Sequence, residues 1–183
     1  GWAVNDTADV VIIGGGIQGL SLAYHLALRG ATDVCLLEKD TLGAGSSGRS
    51  AAIIGHGFPN EHCLPLVQLS YAAFMRFQEE LGFDPGYEPI GCLLMGGAKD
   101  APELRQRHVL LEELGVDSQL LDPAAISELT PGLYLDDIEV GLYSATEGCL
   151  EPHSIMMAYA HQARRLGARI LEGVEVTGLE IKG

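Results

Sequence analysis

The sequence predicts an α/β fold: a doubly wound parallel sheet, interrupted by a smaller mixed α/β layer. Three observations lead there. Apolar runs at Asp9–Ile13 and Asp33–Leu37 flank a helical pattern over Gln18–Arg29 that Gly30 closes. Continuous apolar runs mark strands buried on both faces, and the strand–helix–strand order marks a parallel pair. From Pro65 to Tyr143 the pattern breaks into short mixed elements, before a helix carrying Ile155, Met156, Tyr159, Ala163 and Leu166 and a strand at Arg169–Leu171 restore it.

The turn after the first strand reads Gly14-Gly-Gly-Ile-Gln-Gly19. Gly14, Gly16 and Gly19 fit G-x-G-x-x-G, which supplies a tight turn, a close backbone approach to a pyrophosphate, and close packing of helix on strand. The helix start adds free N–H groups and a positive dipole end. Glu38 lies 19 residues after Gly19, at the end of the next apolar run. There a carboxylate can accept both hydroxyl protons of a ribose. Together these features point to a bound dinucleotide, held by Gly14, Gly16, Ile17, Gln18 and Gly19 at the pyrophosphate and by Glu38 and Lys39 at the ribose.

The next stretch, Lys39 to Gly57, is rich in glycine, serine and alanine. Serine hydroxyls and unhindered N–H groups in such a turn make an anion-binding concavity. Arg49 adds a planar cationic fork suited to phosphate. Ser46, Ser47 and Arg49 are placed on the phosphates and ribityl chain. Ser50, Ala51, Ala52 and Ile53 leave room for a flat, wide group against the backbone. A second phosphate-side loop so soon after the ribose acid suits an extended flavin dinucleotide better than a nicotinamide one.

The pattern G-G-G-I-x-G…A-Y-x-L-A…L-L-E-K…G-x-G-S-S-G-R-S-A-A resembles the D-amino-acid oxidase-type FAD-dependent oxidoreductases, which include glycine oxidase, sarcosine oxidase and dimethylglycine dehydrogenase. The resemblance is dense over residues 9–57 and looser to the end. It implies FAD as cofactor. It also implies a Rossmann-like, discontinuous and partial FAD-binding domain over 1–82 and 144–183, with a partial substrate domain over 83–143. The reaction implied is oxidation of the C–N bond of an amino acid or N-methylated glycine by hydride transfer to flavin N5. The resemblance further places the backbone of Val176 against the adenine. In the family about half of the protein follows this point, so the chain reads as an N-terminal fragment, or as a subunit that another chain completes. An FAD-dependent 2-hydroxy acid dehydrogenase and a non-catalytic FAD-binding module stay open as alternatives.

The remaining elements follow in order. Pro65–Leu81 reads as one amphipathic helix with Leu66, Leu69, Ala73, Phe74, Phe77 and Leu81 on its apolar side. Asp84-Pro-Gly86 is a turn and Ile90–Met95 a strand. Asp100 caps a helix running to Leu114, with Glu103 at its third position. Gln119–Leu121 is a strand, Asp122–Leu129 a capped helix, Val140–Tyr143 a strand. Val174–Ile181 alternates apolar and polar residues as a half-exposed strand does.

Composition bounds the partners. With 25 Asp and Glu against 11 Lys and Arg, the net charge is −14, which argues against nucleic acid. No apolar run approaches the ~20 residues that span a bilayer. Cys35, Cys63, Cys92 and Cys149 form no C-x-x-C pair, and Cys35 and Cys92 read as buried thiols. A reducing compartment follows, the cytoplasm or the mitochondrial matrix, and no metal site. The expected partner is a small amine or amino-acid substrate.

No catalytic base is required by amine oxidation of this kind, since the amine lone pair can drive it. The weak candidate is His56, just after the second glycine stretch. It is open to contact with the flavin ring, to binding a substrate carboxylate, to a covalent flavin link, or to a loop role. Dimethylglycine dehydrogenases use a flavin-linking histidine near here, but that family position aligns with Ser50. His62 and Cys63 are read as capping and packing groups. His25, His108, His153 and His161 are read as helical or local structure. Met156 and Met157 are core filler, and Glu79–Glu80 and Glu112–Glu113 are solvated helix faces.

Overall fold

The structure, a computed structural model, describes residues 7–56 and 61–181; Gly57, the last residue of the second glycine stretch, lies outside them. In chain order the elements are β1 (Val10–Ile13), α1 (Ile17–Leu28), β2 (Val34–Glu38), β3 (Ile53–Ile54), α2 (Leu64–Met75), α3 (Phe77–Leu81), β4 (Cys92–Gly96), α4 (Ala101–Glu113), β5 (Gln119–Leu121), α5 (Pro123–Leu129), β6 (Val140–Ser144), β7 (Gly148–Cys149), α6 (Pro152–Arg165) and β8 (Arg169–Glu172). They divide into two compact units. One draws on Gly1–Ala52, Arg76–Gly86 and Glu151–Gly183, the other on Ile53–Met75 and Tyr87–Leu150. Residues 53–75 and 144–150, grouped by sequence with the nucleotide-binding part, lie in the second unit.

In the first unit β1, β2 and β8 form a parallel sheet in the order β1-β2-β8, with Val10 beside Val34 and Glu38 beside Glu172. The third strand of the nucleotide-binding pattern is therefore β8, more than 130 residues after β2 along the chain in register (Cys35 pairs with Arg169). Between them runs the chain of the second unit. Helices α1 and α6 pack on one another. Leu20, Ala23, Leu36, Phe77, Met156 and Ala163 are buried there. Phe77 meets Tyr159 edge-on at 5.2 Å, a favoured aromatic geometry. Ile12 is buried, whereas Val11 and Ile13, on the other side of the same strand, are 52% and 56% exposed.

The second unit holds an antiparallel sheet, β4-β6-β5, and a two-stranded pairing of β3 with β7. Leu64, Ala101, Leu104, Leu111, Val140 and Leu142 make its core. Helix α5 starts as its sequence demands: the Asp122 carboxylate accepts the Ala125 N–H at 2.8 Å and Pro123 opens the first turn. Asp122→Ala should lower the unfolding free energy by about 1 kcal/mol, read as a shift in denaturant midpoint.

Four expectations change. The helix over Pro65–Leu81 is two helices, broken at Arg76 (φ −100°, ψ 8°). Its apolar residues serve different cores: Leu64 packs in the second unit, Phe77 and Leu81 in the first, and Leu66 and Leu69 are 66% and 69% exposed. The strand placed at Ile90–Met95 runs instead over Cys92–Gly96, because Gly91 takes a left-handed φ of +76° that ends the extended run. Asp100 makes no side-chain cap, since its backbone is already helical (φ −96°, ψ −19°) and its own N–H is held by the Gly97 carbonyl. Val174–Ile181 forms no strand; among the described residues only its first N–H, that of Val174, is given to a strand, at the Glu38 carbonyl, and alternation alone cannot satisfy the remaining backbone N–H and C=O groups. Cys35 is buried as expected, and Cys92 is half-buried. Among the described residues no helix is long and apolar enough to cross a membrane.

Candidate functional site

The site starts where β1 ends. Gly14 takes φ +105°, which a side chain resists, and its N–H is held by the Leu37 carbonyl at 2.8 Å. Gly16 is the N-cap of α1 in extended conformation, with no side-chain cap. A Cβ at Gly19 would collide with the Gly14 carbonyl oxygen. That collision gives the third glycine its physical meaning: helix and turn approach too closely for any larger residue.

Glu38 closes the site at the end of β2. Its half-buried carboxylate accepts the Gly15 N–H at 2.6 Å and the Asp40 N–H at 2.9 Å. The group expected to face only ligand and solvent thus also ties the first glycine turn to the second stretch. Gly15, which the motif leaves as a variable position, is equally constrained: a Cβ there would stand 2.6 Å from Leu42 Cδ2 and 3.0 Å from Glu38 Cβ. Sequence reasoning missed it because the spacing rule does not include it. Lys39 is exposed and makes no ion pair with another described residue.

The two glycine-bearing bends are brought together. The Gly43 N–H donates to the Gly15 carbonyl at 3.0 Å, and the Ile17 N–H donates to Ser47 Oγ at 3.1 Å. Gln18 and Gly19 therefore present the N–H groups of the first helical turn that no described residue accepts. Within the second bend the Gly48 N–H donates to the Gly43 carbonyl, and Ser47–Arg49 makes a single 3-10 turn. Gly43 (φ +77°) sits over Met156, whose Cε would lie 2.5 Å from any Cβ placed there. Met156 is thus the buried support of the bend.

Ser46, Arg49 and Ser50 are exposed, and Arg49 has no ion pair among the described residues. Ala51 is exposed, and Ala52 has φ +49°, the one described non-glycine residue in left-handed backbone. Ser50 Oγ holds it by accepting the Ala52 N–H at 2.9 Å. Such backbone costs about 1–3 kcal/mol and persists where the surroundings over-determine it, often at functional sites. A cavity of about 520 Å³ lies beneath this bend, lined by Leu42, Gly43, Ser50, Pro152, His153 and Met156. Val176 is half-buried, two residues past Val174, whose N–H donates to the Glu38 carbonyl at 2.9 Å. So Gly14, Gly16, Ile17, Gln18, Gly19, Glu38, Ser47 and the 173–176 segment share one end of the β1–β2 pair.

Ile53 and His56 belong to the second unit. Ile53 is 55% exposed on β3, and His56 is 4% exposed. Its backbone N–H donates to Glu147 Oε1 at 2.5 Å, and its ring lies 5.0 Å from that of Tyr71. Glu147, only 2% exposed, is a residue the sequence did not single out. It stands among Thr146, Gly148 and Cys149, with no periodicity to mark an acid turned inward. Nearby, the Tyr71 and Tyr87 hydroxyls both donate to the Thr146 carbonyl.

Burial, and then the hydrogen bond with Tyr71, push the Tyr87 phenol up to about 12. The fold thus favours the neutral phenol. Its contribution is fully present below the unfolded value near 10 and is lost as pH rises from about 10 toward about 12. Stability should fall across that window, and Tyr87→Phe should remove this part of the fall, read by denaturant midpoints against pH alongside phenolate absorbance.

Comparison with known proteins gives the following. The family model described as "DAO: FAD dependent oxidoreductase" matches residues 9–183. The chain is 34% identical over 176 residues to the mitochondrial dimethylglycine dehydrogenase of Rattus norvegicus, covering 96% of this chain and 20% of that protein. It is 32% identical over 179 residues to sarcosine oxidase subunit beta of Rhizobium meliloti, covering 93% of this chain and 42% of the relative. Among solved structures, L-proline dehydrogenase from P. horikoshii superposes with a TM-score of 0.86 at 28% identity, over 98% of this chain and 47% of the other. The chain thus spans less than half the length of each.

Proposed function

Because the chain belongs to the FAD-dependent oxidoreductase family, we propose that it carries the FAD-binding part of an enzyme that oxidises the C–N bond of an amino acid or N-methylated glycine. The observation that carries this reading is the pair of glycine-bearing bends held together by Gly43–Gly15 and Ser47–Ile17 hydrogen bonds at the end of β2. The residues present suit the cofactor: the Gln18 and Gly19 N–H groups have no acceptor among the described residues, Gly19 lets helix and turn close together, and the exposed Arg49 has no ion pair among the described residues. The names of the relatives, a dimethylglycine dehydrogenase and a sarcosine oxidase subunit, support the substrate class.

In this reading the Gln18 and Gly19 N–H groups and the α1 dipole hold the pyrophosphate, beside Gly14, Gly16 and Ile17. Glu38 takes the adenosine ribose while keeping the Gly15 N–H, and Lys39 adds charge beside it. The Val176 backbone meets the adenine. Ser46, Ser47 and Arg49 neutralise and orient the phosphates and ribityl chain, and Ser50, Ala51, Ala52 and Ile53 give the flat surface along the ring. When bound, the flavin would supply a two-electron oxidant, its N5 accepting a hydride from the carbon beside the amine and leaving an imine for water to hydrolyse. A completing subunit is part of this reading, supported by the sarcosine oxidase beta relative, which is named as one subunit of its enzyme. The site of action is the cytoplasm or mitochondrial matrix.

Anaerobic addition of sarcosine, dimethylglycine, glycine and L-proline to the FAD-loaded protein tests the chemistry. Bleaching of the flavin absorbance by one of these amines, and not by 2-hydroxy acids, is expected. Bleaching by a 2-hydroxy acid alone would move the activity to C–O oxidation, and no bleaching by either would leave a non-catalytic FAD-binding module.

A further inference from the structure

The second unit contains a buried ionisable pair that the reading above does not use. His56 and Glu147 are 4% and 2% exposed. His56 Nδ1 is buried and has no hydrogen-bond partner among the described residues, yet it stands 3.7 Å from Glu147 Oε1. Glu147 also fills the space beside Gly55: a Cβ on that glycine would collide with its carboxyl group.

The donors around this carboxylate decide how the imidazole carries its proton. Glu147 Oε1 already accepts the His56 backbone N–H, and the Cys92 thiol hydrogen-bonds the same carboxylate. The Tyr71 and Tyr87 hydroxyls are spent on the Thr146 carbonyl, and the Glu147 carbonyl takes the Gly91 N–H. An acid buried among donors, with no nearby Lys or Arg in its ion pairs, is stabilised as an acceptor. A lone pair on Nδ1 would face that oxygen and repel it, whereas a proton on Nδ1 is attracted. A closing movement of about 0.8 Å brings N···O to ordinary hydrogen-bond length, and the terminal torsion of histidine is soft enough to allow it.

We propose that Glu147 is a positioning residue that fixes His56 with its proton on Nδ1, so that in the singly protonated ring Nε2 carries the lone pair. Nδ1 is sealed against Glu147, and Tyr71 flanks the ring. Nε2 is the ring nitrogen that Glu147 does not hold, so a group meeting the singly protonated ring there would have to donate a hydrogen bond to it. This tautomer does not rest on the proposed amine oxidation.

Long-range proton–nitrogen NMR of ¹⁵N-histidine-labelled protein near neutral pH tests it. The expected result is a His56 signal with Nδ1 protonated and Nε2 unprotonated, in at least about tenfold excess over the other tautomer, as a charge-assisted hydrogen bond implies. In Glu147→Gln that excess should fall severalfold. His56→Asn, whose amide N–H sits where Nδ1 does, should keep the thermal midpoint close to wild type, while His56→Gln should lose it. A wild-type ring protonated mainly on Nε2, an excess unchanged in Glu147→Gln, or equal midpoints for the Asn and Gln variants would overturn the proposal. Should Glu147→Gln fail to fold, the wild-type spectrum and the two His56 variants still decide. Failure of the protein to bind FAD, with the Nδ1 tautomer present, would sink the flavin reading and leave this one standing.

Discussion

Gly19→Val is expected to abolish FAD retention and Gly45→Ala to leave it intact. At Gly19 the first side-chain carbon already overlaps the Gly14 carbonyl oxygen, and Ile12 Cγ2 lies 3.4 Å away, so neither backbone nor core can yield cheaply. Overpacking of this kind costs about 1–3 kcal/mol in a well-packed core. Here the strain falls on the turn itself: α1 must back away from β1, which drags the Gln18 and Gly19 N–H groups off the pyrophosphate. Loss of affinity by about 100-fold or more follows from that misplacement, since 1.4 kcal/mol is tenfold. At Gly45 nothing lies within 4 Å of a Cβ and the backbone is ordinary, so the change should stay within about 0.5 kcal/mol. Equilibrium titration of FAD, followed by quenching of its fluorescence, measures both. Comparable affinities in the two variants would show that the first turn does not seat the pyrophosphate.

The second large effect is expected at Glu38. Glu38→Ala removes the acceptor of the Gly15 and Asp40 N–H groups together with the proposed ribose contact. A donor left without its partner costs about 1–3 kcal/mol, so FAD affinity should fall about 10- to 100-fold, with loosening of residues 39–43. Glu38→Gln keeps an acceptor oxygen and separates the two roles. It should preserve the bend, seen as unchanged hydrogen exchange at Gly15 and Gly43, while still weakening FAD. Equal loss of exchange protection in both variants would show that Glu38 serves the fold and not the ribose.

How far the sequence reached depends on what each element needed. The G-x-G-x-x-G turn was legible because each glycine answers a local demand: Gly14 its positive φ, Gly19 the closeness of a carbonyl. Strands β1 and β2 were legible from their unbroken apolar runs, although only Ile12 of β1 is buried, and β8, Arg-Ile-Leu-Glu, was legible from its place just after α6 and Gly167. The break at Arg76 was hidden, since Phe77 and Leu81 continue the i, i+3, i+4 spacing of α2 even though they enter another core. Exposed Leu66 and Leu69 show the same thing from the other side: periodicity marks a helix, but not which of its faces is covered. The pairing of β3 with β7 escaped notice because two-residue strands have no period to detect. Glu147 escaped because a buried acid is defined by its partners, and these come from Gly55–His56 and Cys92, far away in the chain.

The most direct measurement is the stoichiometry and affinity of FAD for this polypeptide, wild type beside Gly19→Val and Glu38→Ala, after gel filtration to remove free nucleotide. The account predicts one flavin retained per wild-type chain, with a visible spectrum shifted from that of free FAD, and little or none in either variant. Retention by all three alike, or by none, would contradict it.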